Sequence, residues 1–424
     1  MDLYKKLTIP TLAILVLYIF IPHFVNSFTL ETYLNPYSFS ELHVNYEGGF
    51  IRRGLLGHLS LFFSPYISNV NFFASIFTIL YLLQIILFFI ILNKIKNSLI
   101  IIIFLSLSPA LILFNIYDPE SYMRKDLFFN LAILSHSLFV SKMIESKKNI
   151  SEYRSFLSYC LVPFLFINIL IHEVQLFFIS IHVLISFVVF DKNFKTYLKS
   201  FFAKVYLILI LPTILVLLNP GTPEQVLMIT ESLSQYGSQI IAAPFDIMKG
   251  NINLMLGQIL KVMVYYTYYD FVNFFIAIML SIMLFFSLFS YLISKNFLII
   301  KGSILKIYLL FFIPCFFLFV AGTDFGRWLN LISVHIVAFF LIFKINDKVK
   351  IFKKIFNSNF ISYCLIGVLL FSYIFLWMIP TACCWFGFKV FSSSLFGQLY
   401  DSSIFYYNVV NEHVIKLPLN NFLK

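Results

Sequence analysis

Residues 70–92 read VNFFASIFTILYLLQIILFFIIL, a run without a single Asp, Glu, Lys or Arg. A helix of about 20 residues crosses the roughly 30 Å of hydrocarbon in a bilayer, so this run is long enough to span a membrane by itself. Comparable apolar runs flank it at about 8–27, 98–116, 127–141, 156–171, 174–190, 205–219, 271–294, 307–322, 328–343 and 359–379, eleven in all. They do not alternate polar and apolar residues as barrel strands would, so helices are expected. The step Ile171-His172-Glu173 between the fifth and sixth runs leaves two forms open, a tight hairpin or one broken helix.

Composition agrees. Hydrophobic residues make up 61% of the 424, charged residues 12%, and the mean hydropathy is +0.92. A soluble domain carries roughly a quarter charged residues, so this chain lacks the polar surface a soluble fold needs. The first run lacks a small-residue cleavage site and leads into further spans, which reads as a retained helix and not a signal peptide. Cys160, Cys315 and Cys364 lie in apolar runs, Cys383 and Cys384 are neighbours, and no pair has zinc-ligand spacing.

The charge of +11 is sorted by topology. With the N-terminus in the cytoplasm, twenty of the thirty Lys and Arg fall inside, but only five of the nineteen acids. The basic balance is therefore no nucleic-acid footprint. The fold expected is an all-α polytopic membrane protein of about eleven transmembrane helices, with the N-terminus cytoplasmic. Three longer excursions lie outside: 28–69, where 50–63 suits an interfacial helix; 220–270; and a tail, 381–424.

Four of the five arginines (Arg52, Arg53, Arg124 and Arg327) oppose the positive-inside trend and lie outside. A guanidinium binds phosphate or carboxylate as a planar fork, which Lys cannot imitate. The alternative is that these arginines snorkel or pair locally. Around them lie four candidate clusters. The first is Glu47-Gly48-Gly49-Phe50-Ile51-Arg52-Arg53, where two glycines would let the backbone turn beside a ligand. The second, Asp118 to Asp126, holds Glu120, Arg124 and Lys125. The third is His172-Glu173, an ionisable pair at membrane depth and so a candidate by default. The fourth is Asp324-Phe325-Gly326-Arg327-Trp328, with Trp328 read as an interface anchor and Asp324 and Arg327 able to pair. His23, His136, His182 and His335 sit singly within spans, where packing or interhelical hydrogen bonding is expected. Tyr265, Tyr266, Tyr268 and Tyr269 read as an interfacial belt, or else as a sugar-stacking platform.

Acids beside arginines at one membrane face suit a polyprenyl phosphate or pyrophosphate donor: acids activate a hydroxyl and cations neutralise the departing phosphate. The layout resembles the GT-C superfamily of membrane glycosyltransferases and the related O-antigen and capsule polymerases. In that family a long first outer loop carries an acid and interfacial helices, and a second acidic loop follows the third span. Glu47 in 28–69 and Asp118 and Glu120 in the next outer loop fit that plan, although the first loop offers Glu31, Glu41 and Glu47 and no Asp. High Phe, Ile, Lys and Asn usage also resembles proteins of A+T-rich bacterial polysaccharide gene clusters.

The resemblance implies a bacterial inner-membrane glycosyltransferase for polyprenyl-linked glycans in surface polysaccharide assembly. It would be a repeat-unit polymerase or a single-sugar transferase, with a flippase for the same glycan as the alternative. Glu47 would be the general base, with Asp118 or Glu120 as alternatives. Arg52, Arg53, Arg124 and Lys125 would face phosphate, and His172, Glu173, Asp324 and Arg327 would shape the acceptor side. A divalent metal is compatible but has no motif. Membrane lipid and other polysaccharide-assembly proteins are the further partners expected.

Overall fold

The computed structural model describes residues 2–29, 36–93, 99–117, 122–146, 150–190, 194–233, 241, 243–248, 313–315, 317–318, 324–342, 368, 371–376 and 394–410. Among them every regular element is helical. In chain order the main helices are α1 (Asp2–Thr29), α2 (Pro36–Leu42), α3 (Gly54–Phe63), α4 (Asn69–Leu92), α5 (Leu99–Leu107), α6 (Phe114–Tyr117) and α7 (Asp126–Ser146). There follow α8 (Ile150–Ile171), α9 (Gln175–Phe190), α10 (Phe201–Leu218), α11 (Pro223–Ser232), α12 (Ala243–Met248), α13 (Phe325–Leu341) and α14 (Leu395–Val410).

Five segments among the described residues are long and apolar enough to cross a membrane: Lys6–Phe28 of α1, then α4, α7, α8 and α10. Their packing inverts the soluble pattern. The least apolar of the five, α7, is the most deeply buried, and it touches α4, α9 and α13. The strongly apolar α10 instead turns Leu207, Ile208, Leu211, Leu217 and Leu218 outward. An exposed apolar face of that extent suits contact with lipid. Helix α9 is shorter but follows α8 as a tight hairpin: His172 is extended (φ −162°, ψ 123°), and Tyr153 near the start of α8 meets Ser186 near the end of α9. The expected spans 271–294, most of 307–322 and most of 359–379 lie outside the described residues, as does the tyrosine run 265–269.

The expected continuous span over 98–116 is corrected. Helix α5 stops at Leu107, and turns lead to the single turn of α6. Pro109 disfavours a helical Ser108 before it. The freed carbonyls are satisfied by side chains: Asn330 Nδ2 donates to Ala110 O and Leu111 O at 3.0 and 2.8 Å, and the Tyr81 hydroxyl donates to Ile112 O at 2.5 Å. Broken backbone survives at membrane depth only where protein supplies such partners.

The described parts of the excursions 28–69 and 220–270 pack together. Val44 and Ile51 form one apolar cluster with Val226, Ile229, Leu233, Phe245 and Met248. A reciprocal capping box starts α11, with Gln225 N donating to Thr222 Oγ1 and Thr222 N to Gln225 Oε1; Gln225 Nε2 then donates to Phe50 O at 3.3 Å. Gly48 lies against α11, where a Cβ would come within 2.7 Å of Gln225 O. Gly48 is therefore the point of close approach between this turn and α11. Helix α3 presses on the chain before it, since a Cβ on Gly57 would come within 2.1 Å of Val44 O. Its other face exposes Leu59, Phe62 and Phe63, as the expected interfacial helix would.

The stretch expected as an outer tail contains α14, which lies antiparallel along α1. His23 Nε2 meets Gln398 Oε1 at 2.8 Å, Tyr18 meets Ser403 at 3.1 Å, and the Tyr18 and Tyr406 rings stack at 4.6 Å. Apolar contact with α1 seats this helix on the bundle.

Candidate functional site

At the end of the bundle where α7, α9 and α13 begin and α8 finishes, three of the four candidate clusters meet. Arg53 precedes α3 with φ 64° and ψ 4°, the one non-glycine residue of positive φ among those described. Left-handed backbone in a bulky residue costs on the order of 1 kcal/mol and is usually kept where the surroundings fix it. Here the surroundings are two carboxylates. Arg53 Nε and Nη2 donate to Glu173 at 2.9 and 2.5 Å, and Nη1 donates to Glu41 Oε1 at 3.0 Å. Arg52 Nη1 donates to Glu173 at 3.4 Å.

Glu41, on α2, is the hub. Its Oε2 accepts from Arg124 Nη1 at 3.2 Å, Lys125 Nζ lies 3.9 Å from its Oε1, and Lys125 also donates to its backbone oxygen at 3.1 Å. His172 stands between the acids, Nε2 3.8 Å from Glu41 and Nδ1 3.4 Å from Glu173. The Val174 amide donates to Nδ1 at 3.3 Å, which puts the ring proton of a neutral imidazole on Nε2, facing Glu41.

Burial alone would raise the Glu41 carboxyl, but Lys125, Arg53, His172 and Arg124 together hold it well below the usual range. Glu173 is likewise lowered: burial opposes this, and Arg53 and His172 outweigh it. Burial pushes the Lys125 ammonium down to about 8, against the pull of Glu41. Burial beside Arg53 lowers His172 too.

Asp324 and Arg327 form a second group at the same end. Arg327 clasps Asp126 with Nε and Nη2 at 2.8 and 3.0 Å and also donates through Nη1 to Asp324. Their expected mutual pairing is present, and Asp126 completes it. Trp328, expected at the interface, is instead 6% exposed, and the Arg327 guanidinium lies 5.0 Å from its ring centre. It belongs to the helix face that packs inward.

Arg52, Arg53, Arg124, Lys125, His172 and Glu173 are thus brought together as a set. Glu47 is not among them: its side chain is exposed, and its amide donates to Asn45 Oδ1 in a local turn. Asp118 and Glu120 lie outside the described residues. Sequence reasoning passed over Glu41 as the hub, although a signal was there. Glu41 is an acid between Phe39 and Leu42, whereas Glu47 sits in a glycine turn. No trio of His, Cys, Asp or Glu among the described residues is arranged to hold a metal ion.

Compared with protein-family models, with curated proteins and with solved structures, the chain gives no match.

Proposed function

We propose that the cluster binds the phosphate or pyrophosphate of a polyprenyl-linked sugar at the non-cytoplasmic face of a bacterial inner membrane, and that the protein is a glycosyltransferase of surface polysaccharide assembly. One observation carries this reading. Among the described residues, four cations (Arg52, Arg53, Arg124 and Lys125) face two carboxylates, Glu41 and Glu173, around a neutral His172. Guanidinium and ammonium groups gathered this closely favour an added anion, which the planar forks can bind in two places. A polyprenyl phosphate brings that anion at headgroup depth, while the exposed Leu59, Phe62 and Phe63 of α3 suit the lipid boundary. The distribution of lysines supports this end lying outside.

In this reading the incoming phosphate takes guanidinium bonds from Glu173. Loosened from Arg53, Glu173 regains basicity and accepts the acceptor hydroxyl proton as the sugar leaves the carrier. Arg52, Arg53 and Lys125 balance the charge on the departing phosphate. The base is thereby assigned to the cluster, with Glu41 as its anchor, and not to Glu47.

The test is transfer from a synthetic polyprenyl-pyrophosphate sugar by purified protein in detergent, with Glu173→Gln beside the wild type. Product from wild type and none from the variant is expected. Binding of the carrier with no new glycosidic bond would remove the transferase reading. A flippase is the second reading, favoured by the broken α5–α6 segment, a feature of carriers; movement of the carrier across vesicles without transfer would establish it. In a deletion strain, glycan stopped at one repeat unit marks a polymerase, and a full ladder lacking a branch marks a single-sugar transferase.

A further inference from the structure

Below the ionic cluster the bundle axis is polar, which neither lipid contact nor phosphate binding requires. On α7 Asp126 is followed by Asn130 and Ser137, and on α9 Gln175 is followed by His182 and Ser186, steps of four and seven that keep one helix face. All of these side chains are buried. Helices α7, α9 and α13 contact one another, so the two faces and His335 of α13 share one interior.

Part of that interior is a continuous hydrogen-bonded line. His136 Nδ1 meets His182 Nδ1 at 3.0 Å, and His136 Nε2 meets the Tyr153 hydroxyl at 2.8 Å. Tyr153 meets Ser186 at 2.6 Å, Ser186 meets Tyr206 at 2.7 Å, and Tyr206 reaches His182 O at 3.1 Å. Tyr153 and Tyr206 stand near the starts of α8 and α10, beside Arg154 and Lys204, at the end opposite the cluster. Orphaned polar atoms lie beside the line at Ser137 and His335 and between it and the cluster at Asn130 and Gln175. Both polar atoms of Asn130, Gln175 Nε2, Ser137 Oγ, His182 Nε2 and His335 Nε2 have no partner among the described residues. Each would cost about 1–3 kcal/mol left so. Bound water with two to four polar neighbours is the ordinary remedy. The His182 and His335 rings, 6.3 Å apart and perpendicular, leave their Nε2 atoms for such a bridge.

We propose that this line, His182–His136–Tyr153–Ser186–Tyr206, extended by water among the orphaned atoms, conducts protons along the bundle axis between the ionic cluster and the opposite end. A proton taken up at His182 Nε2 is balanced by loss of the His182 Nδ1 proton to His136 Nδ1. His136 passes its Nε2 proton to the Tyr153 oxygen. Tyr153 passes its hydroxyl proton to Ser186, Ser186 passes its own to Tyr206, and Tyr206, 6% exposed, turns its hydroxyl away from His182 O to shed one to water. Every group gains one proton and loses one, and only N–H and O–H bonds change. Hydroxyl rotation and ring tautomer exchange then reset the line. Histidine chains inside membranes serve such relays.

The test uses full-length protein in vesicles loaded with a pH-sensitive dye under a potassium diffusion potential, with no lipid-linked donor present. Its outcome is therefore independent of the proposed transfer reaction. Wild type is expected to change internal pH about tenfold faster than protein-free vesicles. His136→Gln and His182→Gln keep an amide for hydrogen bonding but cannot relay a proton, and should fall to the protein-free rate. His58→Gln, exposed on α3, should match wild type. If both histidine variants aggregate, Tyr153→Phe decides, because it removes one hydroxyl from the line at nearly constant volume. Wild-type flux equal to that of empty vesicles, or a monodisperse relay variant conducting like wild type, overturns the proposal.

Discussion

Arg53 and Glu173, 120 positions apart in sequence, are joined through Nε at 2.9 Å and Nη2 at 2.5 Å, tying the α2–α3 loop to the α8–α9 turn. The same guanidinium reaches Glu41 with Nη1, so one side chain bridges both acids of the site.

A lysine at position 53 keeps the charge and loses the fork. Arg53→Lys is expected to weaken polyprenyl-phosphate binding about tenfold, or about 1.4 kcal/mol. Fluorescence titration of the purified protein measures this, and an unchanged affinity would argue against a phosphate contact at Arg53.

Lys125 supplies a pH signature. Held near about 8 against an ordinary 10.5, it loses its charge as pH rises from 7 to 9, and anion affinity should fall with it. Between about 8 and 10.5 the unfolded chain binds the extra proton, so this group alone makes stability rise with pH over that window. Affinity and stability therefore move in opposite directions. Lys125→Arg should flatten the affinity profile, since a guanidinium stays charged.

Glu41 and Glu47 should separate cleanly. Glu41→Gln leaves Arg53, Arg124 and Lys125 short of a negative partner and should cost about 3–5 kcal/mol, read as a lower unfolding temperature in detergent. The depressed Glu41 carboxyl contributes stability above its unfolded value of 4.5, lost as pH falls toward its folded one. Glu47→Gln, at an exposed turn, should stay within about 0.5 kcal/mol of wild type. Equal losses in both variants would contradict the assignment of Glu41 as the hub.

Gly57→Ala tests the seat of α3. Its Cβ would sit 2.1 Å from Val44 O, a backbone atom, so α3 must shift. A loss of about 1–3 kcal/mol is expected from such overpacking, and melting unchanged from wild type would show that α3 is free to move.

Much of this was legible in the sequence because a bilayer makes apolar length a direct readout of spanning. α1, α4, α7, α8 and α10 fall where the runs lie. The convergence of Arg52, Arg53, Arg124, Lys125, His172 and Glu173 was also legible, since charges are too expensive at that depth to scatter. Three features were hidden. The break after Leu107 depends on Asn330 and Tyr81, donors remote in sequence. Glu41 over Glu47 depends on which acid the fold buries, and burial is set by α2 packing on α12. Gly48 faces α11 because the α2–α3 loop shares a core with α11 and α12, a tertiary fact with no local pattern.

The bridge from Arg53 to Glu173 also has a consequence for biogenesis. Ribosomes deliver the arginine more than a hundred residues ahead of its carboxylate, and Arg327, the clasp on Asp126, emerges later still. A nascent chain halted before Glu173 would display guanidinium groups whose main counter-ion has not yet been synthesised. Such an intermediate is distinguishable from the finished protein by any quality-control factor that reads surplus positive charge on a nascent membrane protein.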